Sequence, residues 1–331
     1  MKERLRIGTR GSQLALWQAN WVKGCLEKRY PLLEVELVKV KTTGDKLLDV
    51  ALAKVGGKGL FVKEIEEALL DCKIDLAVHS MKDVPTEIPP GLHISAITER
   101  EDPRDAFITG VRGQGVKGTG VPFTVRGFKD LPQGANIGTS SLRRTSQILN
   151  IRPDLKISQL RGNLNTRLKK LDEGQFDAII LAAAGIKRLG LESRITEYLE
   201  PDISLPAIGQ GAIGIETRID DKETNEMVAF LNHKETSACV RAERAFLKRL
   251  EGGCQVPIAS YGQVGDGGLR LTGLVGEVDG GRIIKDSIAG PVDRGVDLGI
   301  GLAERLLEKG AWEILKKVYT DNSKVKSQNS K

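Results

Sequence analysis

The sequence predicts an α/β protein followed by a separate α+β unit, and three observations carry that expectation. Over the first two thirds of the chain, short apolar runs alternate with amphipathic stretches. After residue 233 the rhythm changes to one helix, then glycine-punctuated alternating segments, then a final helix. With 331 residues and 40% hydrophobic content, the chain can bury two or three cores.

The elements follow in order. Residues 12–29 read as a helix: Leu14, Trp17, Trp21 and Cys25 recur at steps of three and four, and Ser12 is placed to cap the N-terminus. That spacing assigns the tryptophans to the core. Strand-like apolar runs occupy 35–40, 74–78, 178–183 and 212–215, and amphipathic helices 60–73, 142–150 and 163–171. Residues 110–127 are glycine-rich and read as a loop or linker. Beyond 233, a helix over 236–250 meets Gly252-Gly253 as its stop, strands follow at 258–264, 269–278 and 282–287, and a helix spans 296–318. The polar residues after Tyr319 read as a frayed tail.

Cysteine usage is sparse and uneven. Cys25, Cys72 and Cys239 fall within stretches that read as helices, where a thiol behaves as a small hydrophobe. Cys254, in Glu251-Gly252-Gly253-Cys254-Gln255-Val256-Pro257, sits in a loop with room for a covalent group. No Cys-x-x-Cys or Cys/His spacing suggests zinc, so no metal is expected. No apolar run is long enough to span a bilayer and no signal-peptide pattern opens the chain, which leads to the expectation of a cytoplasmic protein.

The net charge of +6 is concentrated. Residues 141–190 hold ten basic side chains against four acidic ones, so the rest of the chain is neutral overall. A focused basic surface implies an anionic partner. Nucleic acid is disfavoured, because Phe176 is the window's one aromatic residue and stacking platforms are lacking. Arginines at 143, 144, 161 and 167 suit bidentate recognition of carboxylate or phosphate. Lys156, Lys169 and Lys170 read as a solvated face.

Two glycine patterns, at 113–118 and 209–214, match a dinucleotide fingerprint as text, but neither is a strand running directly into a helix. Gly56-Gly57-Lys58-Gly59 lacks the ending of a P-loop, although its amides could meet an anion. More chemical is Asp75 to Pro85, where a buried strand ends near His79 and turns Lys82 and Asp83 toward a cleft. Gly138 to Arg144 places hydroxyls and two guanidiniums at a helix N-terminus, an anion site or an ordinary cap.

His79-Ser80-Met81-Lys82-Asp83-Val84-Pro85, Gly138 to Arg144, Leu160-Arg161-Gly162-Asn163 and the Cys254 segment, in this order and spacing, resemble the hydroxymethylbilane synthase (porphobilinogen deaminase) family from about Leu5 to Tyr319. The 110–127 stretch looks longer than usual for that family. The resemblance implies two α/β domains like periplasmic binding proteins, joined by a two-strand hinge, plus a C-terminal α+β domain. The implied boundaries are 1–105 with 207–230, 106–206 and 231–320, with 321–331 as tail. It implies a transferase that condenses four porphobilinogen molecules head to tail, with loss of ammonia, on a dipyrromethane cofactor bound through Cys254. Lys82, Asp83, Thr139, Ser141, Arg143, Arg144 and Arg161 would bind cofactor, and Arg10, Ser12, Arg161, Arg167 and Arg188 substrate. Asp83 would be catalytic. The partners implied are porphobilinogen and the growing polypyrrole chain, with no nucleic acid, no membrane and a monomeric enzyme. The alternative is an anion- or solute-binding protein of the same architecture without catalysis.

Overall fold

The structure, a computed structural model, describes residues 2–46, 62–110, 125–251 and 256–318. In chain order its elements are β1 (Arg4–Thr9), α1 (Gln13–Arg29), β2 (Glu34–Lys39), the single turn α2 (Thr43–Lys46), α3 (Lys63–Leu70), β3 (Leu76–Ser80), β4 (Leu92–Ile97), β5 (Asp105–Thr109) and β6 (Asn136–Gly138). There follow α4 (Leu142–Ile151), β7 (Lys156–Ser158), α5 (Leu164–Asp172), β8 (Ala178–Ala182), α6 (Ala183–Arg188), β9 (Glu197–Leu199), β10 (Ile213–Arg218) and α7 (Lys222–Val228). The last group is α8 (Lys234–Arg249), β11 (Ile258–Gly265), β12 (Gly268–Gly276), β13 (Ile283–Gly290) and α9 (Gly295–Leu306).

These strands form three sheets, ordered β2-β1-β3-β10-β4, β7-β6-β8-β5-β9 and β11-β12-β13. The first two are mixed α/β sheets and the third is antiparallel with helices against it, as the alternation of sequence pattern predicts. The strands read as continuous apolar runs because both faces are covered. Along β8, Ile179 and Leu181 join one core while Ala178 and Ile180 join the core on the opposite face. In the first sheet Leu5, Ile7, Leu76, Val78 and Ile215 pack with Ala19, Val22 and Leu26 of α1. Ser12 Oγ accepts from Ala15 N at 3.3 Å, the expected cap, and Lys28 and Arg29 sit in the last turn of α1, where the helix dipole favours cations.

Several expectations change. The buried face of α1 is Gln18, Ala19, Val22 and Leu26, about one residue around the helix from the tryptophan stripe. Trp17 therefore borders the core and Trp21 is exposed. Cys72 is not inside a helix: α3 ends at Leu70, and Cys72 is exposed at a left-handed turn (φ 54°). The left-handed residue after α8 is Glu251 (φ 53°), ahead of the two glycines, which lie outside the described residues with Cys254. The C-terminal helix breaks at Gly310 (φ 96°), where an added Cβ would lie 2.6 Å from Arg282 Nη2. Residues 56–59, most of the 110–127 stretch and the tail after Val318 also lie outside the described residues.

The connection between the first two sheets positions the site. The chain leaves the first sheet after β4, builds the second, and returns as β10 between β3 and β4. The outgoing and returning segments lie side by side: Thr98 N donates to Ile213 O (3.0 Å) and Glu101 N to Gly211 O (3.1 Å). Gln210 Nε2 adds a bond to Pro103 O at 2.6 Å. Glu243, buried in α8, fastens both crossings to the third unit, accepting from Arg100 Nη2 (2.8 Å), Gly209 N (2.7 Å) and Gly262 N (2.8 Å).

Candidate active site

At the carboxyl end of β3 the chain makes a short 3-10 turn, Met81–Asp83. Met81 is buried and donates its N–H to Ala212 O (3.0 Å), so the returning crossing lies directly on the turn. That closeness is why Gly209 is a glycine: its φ is 69°, and a Cβ there would come within 2.8 Å of Met81 Cβ and 3.3 Å of Lys82 N. The 209–214 pattern thus lets two backbones pass, rather than cradling a dinucleotide. From the third unit, Arg244 donates to Val84 O (3.0 Å) and Pro85 O (2.5 Å). Held from both sides, the turn presents a half-buried Lys82 and an exposed Asp83. Behind it His79 is buried with Nε2 2.9 Å from Glu216 Oε2, and burial together with Glu216 pushes the nearby Glu66 carboxyl up to about 7.

Facing this turn is the start of α4. Thr139 is buried and its Oγ1 accepts from Ser141 N (3.2 Å), while Ser140 Oγ donates to Leu160 O (2.8 Å). Arg143 and Arg144, on the first helical turn, are both buried and converge on Asp105, the fully buried first residue of β5. Arg144 Nη2 donates to Asp105 Oδ1 at 2.7 Å and to Ile180 O through Nη1 at 2.9 Å. Arg143 Nη1 lies 2.9 Å from Asp105 Oδ2 and donates to Leu205 O. Burial alone would raise the Asp105 carboxyl, but the two guanidiniums overcome it and hold the group far below the usual carboxylate range. Both Nε atoms are buried and unpartnered among the described residues.

A second basic group opens α5. Asn163 caps this helix, accepting from Thr166 N at 2.9 Å, and Arg167 Nε donates to Gly162 O at 2.8 Å. Arg161 is half-buried, with Nη2 3.2 Å from Gln159 Oε1, and Lys170 donates to its carbonyl (3.3 Å). Burial, with repulsion from Arg144, lowers Arg167 to about 10 against the pull of Asp83, so it stays cationic at neutral pH. Burial, with Arg144 and Arg167, likewise lowers Lys82 against Asp83 and Asp105. Lys82 and Asp83 from the first sheet thus share one electrostatic neighbourhood with Arg144 and Arg167 from the second.

The remaining predicted residues lie around this cleft or outside the description. Arg10 and Ser12 are half-buried at the β1–α1 junction. Arg188 donates to Gly211 O (2.7 Å) and lies over the Trp17 ring (5.7 Å to the centroid), so it also bridges the crossing and α1. Asn165 of α5 donates to Gln13 of α1 at 2.6 Å, a direct link across the mouth. Lys156 and Lys169 are exposed, as read from sequence, and Lys170 is half-buried. Sequence reasoning missed Asp105, Ser204 and Gln210, which brace the arginines from 38 or more residues away. The available signal was a carboxylate opening the apolar run Ala106-Phe107-Ile108.

Residues 5–226 match the family described as porphobilinogen deaminase, dipyromethane cofactor binding domain, and residues 237–308 match porphobilinogen deaminase, C-terminal domain. The chain belongs to the porphobilinogen deaminase family. Similar relatives include the porphobilinogen deaminases of Geobacter metallireducens and Geobacter sulfurreducens, each 62% identical and covering 96% of this chain and 95% of the relative. Among solved structures the chain is distantly similar to the periplasmic VFT2 domain of Bordetella pertussis BvgS, at 14% identity, a TM-score of 0.40, and coverage of 69% of this chain and 86% of that one. The α/β assignment here rests on the strand pairing. No helix among the described residues of this porphobilinogen deaminase family member is long and apolar enough to cross a membrane.

Proposed function

We propose that this chain is a hydroxymethylbilane synthase: it condenses four porphobilinogen molecules head to tail, releases ammonia at each addition, and frees the linear tetrapyrrole by hydrolysis. One observation carries the assignment of roles, the juxtaposition of the Lys82–Asp83 turn with Arg144 and Arg167 from the opposite sheet. Each pyrrole of the substrate brings an acetate and a propionate, so a growing chain accumulates carboxylates in a cleft supplied with cations.

The residues present suit a carboxylate-bearing group, since Arg143 and Arg144 each retain a buried Nε donor without a partner among the described residues. Dipyrromethane, bound through the Cys254 sulfur, supplies the pyrrole end at which the product grows. Lys82, Asp83, Thr139, Ser141, Arg143, Arg144 and Arg161 hold it, and Arg10, Ser12, Arg161, Arg167 and Arg188 hold substrate carboxylates. Asp83, exposed at the end of its turn, accepts pyrrole N–H groups and stabilises the cationic charge that develops on porphobilinogen as ammonia leaves.

The chain divides into domains at 1–105 with 207–230, 106–206 and 231–320, a division the three sheets support, and the paired crossings act as the hinge that lets one site accept successive units. The enzyme works in the cytoplasm as a monomer. Incubation of the purified chain with porphobilinogen tests this reading. Consumption with matching release of ammonia and accumulation of linear tetrapyrrole is expected, whereas reversible binding of intact porphobilinogen would point to a non-catalytic anion-binding protein.

A further inference from the structure

We propose that Asp105 is a positioning residue of the reaction, a buried anion that fixes the direction of Arg143 and Arg144 and ties it to both crossings between the first two sheets. The inference rests on the reading of the site given above. Four side chains converge on one carboxylate. Oδ1 accepts from Arg144 Nη2 (2.7 Å), Gln210 Nε2 (3.0 Å) and Arg143 Nη2 (3.2 Å), and Oδ2 accepts from Ser204 Oγ (2.7 Å) beside Arg143 Nη1 (2.9 Å).

Asp105 ends the outgoing crossing, and Ser204 and Gln210 belong to the returning one. Gln147 of α4 locks the same place, accepting from Leu205 N at 2.7 Å. A shift of one crossing against the other therefore moves the anion on which both guanidiniums are set. Opening of the cleft and presentation of the arginines become one event.

Charge separates this role from a purely structural ion pair. One carboxylate cannot neutralise two guanidiniums, so a net positive charge stays buried beside Lys82 and Arg167. Stability alone does not need that excess, because a buried ion pair has no general advantage over apolar packing. A carboxylate-bearing ligand does need it.

The test uses the full-length protein purified with its cofactor, as Asp105→Asn, which keeps the shape and removes the charge, and Asp105→Glu, which keeps the charge and displaces it by one methylene. For Asp105→Asn, kcat/KM for porphobilinogen should fall about 10- to 100-fold, by analogy with the loss of a partner that orients metal-holding side chains. Intact mass should show a smaller fraction of chains carrying dipyrromethane. Burial lowers the Lys82 ammonium first of all, Arg144 and Arg167 lower it further, and Asp83 and Asp105 oppose them. Removing the Asp105 anion lowers the Lys82 pKa further, so the alkaline limb of the kcat/KM profile should move to lower pH. In Asp105→Glu the limb should stay while kcat/KM still falls.

A structural brace alone would lower Tm and leave adduct fraction, kcat/KM of the folded protein and pH limb unchanged, and that result overturns the proposal. Should Asp105→Asn not accumulate folded, the Glu variant decides, and wild-type kcat/KM there overturns it equally. Wild-type protein without adduct or turnover would instead overturn the reading of function.

Discussion

Arg143 and Arg144 at the start of α4, and Arg161 and Arg167 at the start of α5, come from the same 50-residue basic stretch on one side of the cleft, yet the fold treats them in opposite ways. The first pair is buried against Asp105. In the second pair, Arg161 and Arg167 are half-buried, Arg167 reaches the Gly162 carbonyl and Arg161 the Gln159 amide oxygen, and the carboxylate that acts on Arg167 is the exposed Asp83. Charge density in a sequence does not say which cations are held rigidly and which stand half-exposed. What decides is whether the fold supplies a buried counter-ion. Removing one partner of a buried pair strands the other charge, whereas a half-exposed guanidinium can be removed with little damage to folding.

The largest effect is expected at the exposed carboxylate: Asp83→Asn should fold normally by circular dichroism and turn over about 100- to 10,000-fold more slowly in a steady-state assay. Near-normal turnover would remove Asp83 from the chemistry. Arg143→Leu should lower the free energy of unfolding by roughly 3–5 kcal/mol in a denaturant titration, as well as impairing cofactor assembly. Arg161→Leu should leave unfolding within about 1 kcal/mol of wild type and weaken an elongation step by about 1.5–3 kcal/mol, read from the distribution of enzyme–substrate intermediates by mass. Equal destabilisation by the two leucine substitutions would erase the contrast. The smallest effect belongs to the cap of the helix carrying Arg167. Asn163→Ala should cost about 1 kcal/mol of stability by the same titration.

The periodicities of the chain made most of the elements legible. Ser12 capping α1, the three alternating strands after residue 257 and the helix around Phe246 all stand where pattern and turn chemistry put them. What misled was phase and termination. The tryptophan stripe of α1 is offset from its buried face, and the chain turns at Glu251 and breaks at Gly310 under local backbone geometry that hydrophobic spacing does not encode. For the site, Lys82, Asp83 and the arginines were readable because they cluster in short motifs. Asp105, Ser204 and Gln210 were not, because Asp105 and Ser204 meet Arg143 of α4, and Gln210 meets Asp105, from distant parts of the chain joined only through the double crossing. Glu243 is hidden for the same reason, a carboxylate on an amphipathic helix whose partners Arg100 and Gly209 belong to the two crossings.

Intact mass of the purified protein, with peptide mapping of the 251–257 segment, tests whether this fold holds a covalent primer among those cations. A mass excess of one dipyrromethane located on Cys254 is expected. An unmodified Cys254 that acquires no adduct after incubation with porphobilinogen would contradict it.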